Sequence, residues 1–73
     1  MNGRPIKHSV TLKGHRTSIS LEEPFWKEFR RIAAERNVPL NALVSQIDEG
    51  RAPDTGLASA IRMFVLEAVK RAE

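Results

Sequence analysis

With 73 residues the chain has room for one small domain, and folding at that size buries only about 60% of the surface that the unfolded chain exposes. The absence of cysteine excludes disulfides and thiolate metal sites. Two histidines, His8 and His15, cannot fill a structural zinc shell by themselves, so no metal or cofactor is expected and oligomerisation remains the route to stability.

The net charge of +3 is unevenly placed. Residues 1–20 hold Arg4, Lys7, Lys13 and Arg16 and no acid, for +4, whereas residues 21–73 hold eight Lys/Arg against nine Asp/Glu, for −1. This asymmetry points to a polyanionic partner, nucleic acid before anionic membrane; a solubilising basic tail is the plainer alternative. Asn2, Gly3 and Pro5 mark residues 1–7 as a flexible basic arm. Alternation then sets in over residues 8–12, with Val10 and Leu12 on one face and Ser9, Thr11 and Lys13 on the other. Lys13-Gly14-His15 links this run to a second one. The link suits a hairpin, and equally an arm that bends at Gly14 and pairs elsewhere. The second run predicts a strand over residues 15–21. Successive strand side chains point to opposite faces, so Thr17, Ile19 and Leu21 can close over a core while Arg16, Ser18 and Ser20 face away from it.

Three helices follow. Pro24 favours a helix start, and Phe25, Trp26, Phe29, Ile32 and Ala33 form one apolar stripe over a helix at 24–36. Three of the four aromatic residues lie on this stripe, which reads as core and not as a base-stacking platform. Asn37-Val38-Pro39 ends the pattern, because the residue before a proline avoids the helical region. A second helix over 39–49 carries Leu40, Leu43, Val44 and Ile47 at helical spacing, with Gly50 as its expected C-terminal cap. Asp48 and Glu49 there oppose the helix dipole. After a Pro/Asp/Gly loop, with Asp54 or Thr55 as cap, a third helix is predicted over 56–71. Its Ile61, Met63, Phe64, Val65, Leu66, Ala68 and Val69 are apolar nearly all round, so a partner subunit is expected to cover one side.

A lone strand is unstable with both edges open. Two copies pairing this strand antiparallel would make a ribbon with one polar face, and such a ribbon fits the major groove of B-form DNA. In this β-α-α order the chain resembles the ribbon-helix-helix family of DNA-binding repressors. The residues that carry the resemblance are Arg16-Thr17-Ser18-Ile19-Ser20-Leu21, the helix opened by Pro24, and Leu40-Asn41-Ala42-Leu43-Val44. Phe25-Trp26 and the run Ala60-Ile61-Arg62-Met63-Phe64-Val65-Leu66-Glu67 are similar to a bacterial subgroup with an additional C-terminal helix. The resemblance implies a mainly α fold with a short β element, assembled as an intertwined homodimer through an intersubunit antiparallel β-ribbon, within one domain over residues 8–73.

The resemblance also implies site roles. The outward strand residues Arg16, Ser18 and Ser20 would contact bases. The start of the second helix, at Pro39, Leu40 and Asn41, would hold a phosphate through backbone N–H groups. Many family members have glycine where this chain has Asn37 and serine or threonine where it has Pro39, so here a side-chain cap is lost while Asn37 can still adopt the left-handed conformation. Lys13, His15, Lys7 and Arg4 are candidate phosphate contacts, which set affinity without reading sequence. Glu22, at the strand end, disfavours DNA unless it is turned away, and Arg62 in the apolar third helix is expected to partner a carboxylate. The expected dimer core is Ile19, Leu21, Phe29, Leu43, Val44, Ile47, Ile61, Phe64 and Val65.

No catalytic constellation is present, since no hydroxyl lies at recognisable spacing from a base and an orienting acid. The longest apolar run, Met63–Leu66, is far short of the ~20 residues of a membrane span, and no secretory signal is evident. A cytoplasmic, nucleoid-associated, homodimeric DNA-binding regulator of transcription is therefore expected. The alternative is a dimeric protein-interaction scaffold, or antitoxin-like adaptor, whose third helix docks a protein partner.

Overall fold

In the computed structural model, which describes residues 3–72, the two alternating runs pair with each other. Strand β1 (Pro5–Leu12) and strand β2 (His15–Glu22) form an antiparallel two-stranded sheet. The register runs without a bulge from Pro5 opposite Glu22 to Leu12 opposite His15. Lys13 and Gly14 make the turn with φ of 52° and 80°. Positive φ at both central residues is the type I′ pattern, whose twist matches that of the flanking strands. Gly14 adopts it freely, whereas Lys13 bears a cost of about 1–2 kcal/mol that strand pairing offsets.

The hairpin settles the choice left open at Gly14 and moves two expectations. Residues 5–7, expected in a basic arm, belong to β1; Met1 and Asn2 of that arm lie outside the described residues. The ribbon expected between subunits is formed within one chain, because β2 pairs with its own β1.

Helix α1 (Glu23–Glu35) starts with Pro24 in its first turn and Glu23 beside the positive helix end. It closes in a Schellman motif. The Val38 N–H donates to the Ala33 carbonyl at 3.0 Å and the Asn37 N–H to that of Ala34 at 3.1 Å. Asn37 supplies the left-handed residue, at φ 54°. Helix α2 (Leu40–Gly50) departs from expectation at its far end. Gly50 is its last helical residue and not a left-handed cap, and the chain leaves through Arg51 in extended conformation. The Arg51 side chain holds this end instead, donating from Nε to Asp48 Oδ1 at 2.9 Å and from Nη1 to the Thr55 carbonyl at 2.6 Å. Asp48 also faces Lys13 Nζ at 3.8 Å, so the acid that opposes the dipole is paired on two sides.

Helix α3 (Leu57–Ala72) packs against both other helices and the end of β2. The core comprises Val10, Ile19, Leu21, Phe29, Ile32, Ala33, Leu43, Val44, Ile61 and Val65, with Ile47 and Phe64 half-buried around it. One protomer therefore buries most of the apolar surface that was expected to need a partner. What it leaves out is Met63 at 63% exposure and Leu66 at 56%.

Phe29 is fully buried and meets Phe64 edge-on, with ring centroids 6.2 Å apart and planes at 90°. Phe29→Ala should destabilise by about 3–5 kcal/mol, comparable with the whole stability of a domain holding roughly 0.05–0.15 kcal/mol per residue. Urea titration followed by far-UV circular dichroism should find this variant largely unfolded in buffer. A midpoint near wild type would show that Phe29 does not anchor the core.

Candidate nucleic-acid interface

The pleat divides the hairpin into two faces. Val10, Ile19 and Leu21 are buried against the helices, and His8, half-buried on the same side, stacks on Trp26 at 4.0 Å with planes 11° apart. Opposite them Lys7, Ser9 and Thr11 of β1 and Arg16, Ser18 and Ser20 of β2 are all exposed. The register sets Lys7 opposite Ser20, Ser9 opposite Ser18, and Thr11 opposite Arg16. The outward face is thus two strands wide within one chain. Sequence periodicity had placed Arg16, Ser18 and Ser20 together; Ser9 and Thr11 join them only once the register is known.

A two-residue turn makes the flanking pair, Leu12 and His15, a hydrogen-bonded one. Pairs then alternate, so every outward residue occupies a non-hydrogen-bonded position with its backbone groups aimed at a sheet edge. Two of these edge groups are taken by the helices. Thr11 N–H donates to Asn41 Oδ1 at 3.0 Å, and the Ser20 carbonyl accepts from Arg62 Nη2 at 3.4 Å. The first contact places the start of α2 against the β1 edge near the turn. Pro39 is the N-cap and makes no side-chain cap, while its carbonyl accepts from Leu43 N–H at 3.1 Å. The N–H groups of Leu40, Asn41 and Ala42 consequently have no acceptor within the helix. Pro39 and Asn41 are exposed and Leu40 half-buried.

The remaining expected contacts are distributed around this face. Lys13 lies in the turn, exposed although near Asp48. His15 is exposed, but pairs with Leu12 and so belongs to the other face. Arg4 precedes β1 and is exposed. Glu22 ends the outward row of β2, where Arg62 grips it with Nε at 2.7 Å from Oε1 and Nη2 at 3.1 Å from Oε2. Arg62 thus partners a carboxylate, as its position in an apolar helix suggested, and that carboxylate is the acid nearest the outward face. These two hydrogen bonds, with one from the backbone, hold the Glu22 carboxyl below its ordinary value of 4.5. On α1, hydrogen bonds from Arg31 lower Glu28 in the same way, and Arg31 also bonds Glu35.

Among the described residues no group of three or more His, Cys, Asp or Glu side chains could hold a metal ion, and no helix is long and apolar enough to cross a membrane. A family model described as a ribbon-helix-helix domain matches residues 5–69. No curated protein and no solved structure matches the chain. The matched span includes both strands and all but the end of α3. Domains of that type generally serve DNA-binding transcription regulators or antitoxins and are typically not enzymes.

The Glu22–Arg62 pair predicts a pH dependence. A carboxyl whose folded-state value lies below its unfolded one contributes stability above the unfolded value, near 4.5, and loses it as pH falls through the folded value. Thermal melts of wild type and Glu22→Gln should therefore differ at pH 7 and converge as the pH falls below about 4. A difference that persists unchanged at pH 3 would rule out the charged pair as its source.

Proposed function

The chain belongs to the ribbon-helix-helix family, and from that footing we propose that it is a sequence-specific duplex-DNA-binding regulator of transcription that acts as a homodimer. The observation that carries the reading is the outward hairpin face, where Lys7 and Arg16 stand among exposed hydroxyls. A two-stranded ribbon fits the major groove, where each base pair offers a distinct donor and acceptor pattern. Arg16 grips a guanine edge with two hydrogen bonds, and Ser18 and Ser20 donate to or accept from neighbouring edges. The backbone N–H groups at Leu40 and Asn41 hold a phosphate, with Lys13, Arg4 and His15 adding contacts that fix register.

Dimerisation brings two such ribbons to one DNA molecule. With β2 occupied by β1, the surface that favours self-association is the α3 stripe of Met63 and Leu66, the two most exposed large apolar side chains among the described residues. Two copies meeting there leave both hairpins free. Ile19, Leu21, Phe29, Leu43, Val44, Ile61 and Val65 are already buried in one protomer. The proposed dimer core accordingly draws on Phe64 and Ile47 at its margin. A DNA-bound protein of this kind would be nucleoid-associated.

Three measurements test this reading. Arg16→Ala should weaken binding to a site selected from random duplexes by about 5- to 100-fold and leave the dimer intact. Equal anisotropy titrations for variant and wild type would remove Arg16 from the reading face. Lys13→Ala should weaken all sequences evenly and flatten the salt dependence by about one unit. Leu66→Lys should shift sedimentation from dimer to monomer; a variant that stays dimeric would place the interface elsewhere.

A further inference from the structure

The outward face repeats its chemistry within one chain. In chain order β1 presents Lys7, Ser9 and Thr11, and β2 presents Arg16, Ser18 and Ser20. Each strand therefore offers a cation, a hydroxyl and a second hydroxyl at every other position. The pairing of Ser9 with Ser18, flanked by Lys7 with Ser20 and Thr11 with Arg16, centres the pattern. A two-fold axis normal to the sheet between the two serines carries Lys7 onto Arg16, Ser9 onto Ser18, and Thr11 onto Ser20. Nothing in the core demands this match, because all six side chains point away from it and are exposed.

We infer that the reading unit is the hairpin of a single chain, with Lys7, Ser9 and Thr11 contacting bases as the pseudo-symmetric counterparts of Arg16, Ser18 and Ser20. The inference rests on the DNA-binding reading above and assigns to β1 the base contacts that were expected from the strand of a second subunit. Lys7 becomes a base contact and not only a phosphate one. The two cations lie four residues apart along the strand direction, about 14 Å at the antiparallel rise, and on opposite strands of the ribbon. Lysine and arginine both bond guanine O6 and N7, and hydroxyls accept any base. One hairpin therefore recognises a short imperfect inverted repeat with a guanine in each half. Arg16 reads its half more stringently than Lys7, because the guanidinium fork is bidentate and the ammonium is a point charge. Each dimer then carries two complete reading units.

Selection from a random duplex pool at near-physiological salt, with wild type and variants side by side, tests this. Lys7→Ala should relax preference in one half of the recovered repeat and Arg16→Ala in the other, each losing about 5- to 100-fold on the wild-type site. Lys7→Arg, which equalises the two strands and keeps the charge, should sharpen the weaker half and make the recovered site more nearly palindromic. Both positions are exposed, and unchanged circular dichroism melts would show that folding is not at issue. If Lys7→Ala lowers affinity evenly and Lys7→Arg leaves the site unchanged, while Arg16→Ala alters it, β1 touches only phosphate. The inference is then overturned and the DNA-binding reading stands. If wild type retains no duplex, both are overturned.

Discussion

The structure depends on the in-register pairing of β1 with β2 across Lys13-Gly14. Side-chain direction and backbone bonding both alternate with a period of two. Once the turn sets Leu12 opposite His15, one choice decides which residues are buried and which edge groups need partners. A slip by one residue would send Ile19 and Leu21 into water and Arg16 into the core. The helices hold this register from both sides. Asn41 satisfies an edge N–H of β1, and Arg62 an edge carbonyl of β2, so neither edge is wholly open where it meets the helical layer. An open edge is a template for unwanted pairing, and the same contacts fix the start of α2 beside the ribbon.

Much of this was legible in the residues, and the failures have physical causes. The apolar stripe of Phe29, Ile32 and Ala33 and the break at Asn37-Val38-Pro39 depend on neighbours three to five positions away, and the structure has the expected helix and turn there. Pairing of β1 with β2 is a choice between partners, and periodicity is the same whichever partner a strand takes. The signal that could have decided it was the two-residue spacing of Lys13-Gly14, which selects a type I′ hairpin. Gly50 misled because a glycine after an apolar run fits a left-handed cap, but a competing side chain, Arg51, satisfied the loop carbonyl and Asp48. The third helix was read as needing a second subunit because an apolar circumference does not say how many faces one chain can cover. Here two helices and the hairpin cover most of it.

The charge asymmetry of the sequence acquires a location in the fold. Surface ion pairs add little stability, so the Arg62 grip on Glu22 matters more for where charge is left than for holding the chain together. Glu22 sits at the end of the outward row, and a bare carboxylate there would repel any polyanion approaching the ribbon. Two guanidinium bonds neutralise it. Asp48, near the turn, is matched by Arg51 and Lys13, and Glu28 and Glu35 are matched by Arg31 on α1. Within the ribbon, Lys7 and Arg16 form no ion pair with any described residue, and both stand on the exposed face. A net charge of +3 is too small to attract a polyanion by bulk field alone. Two uncompensated cations on a two-stranded polar face concentrate that charge at the surface whose shape fits a groove. Composition supplies the sign of the partner, and the pairing of the acids determines where the partner is met.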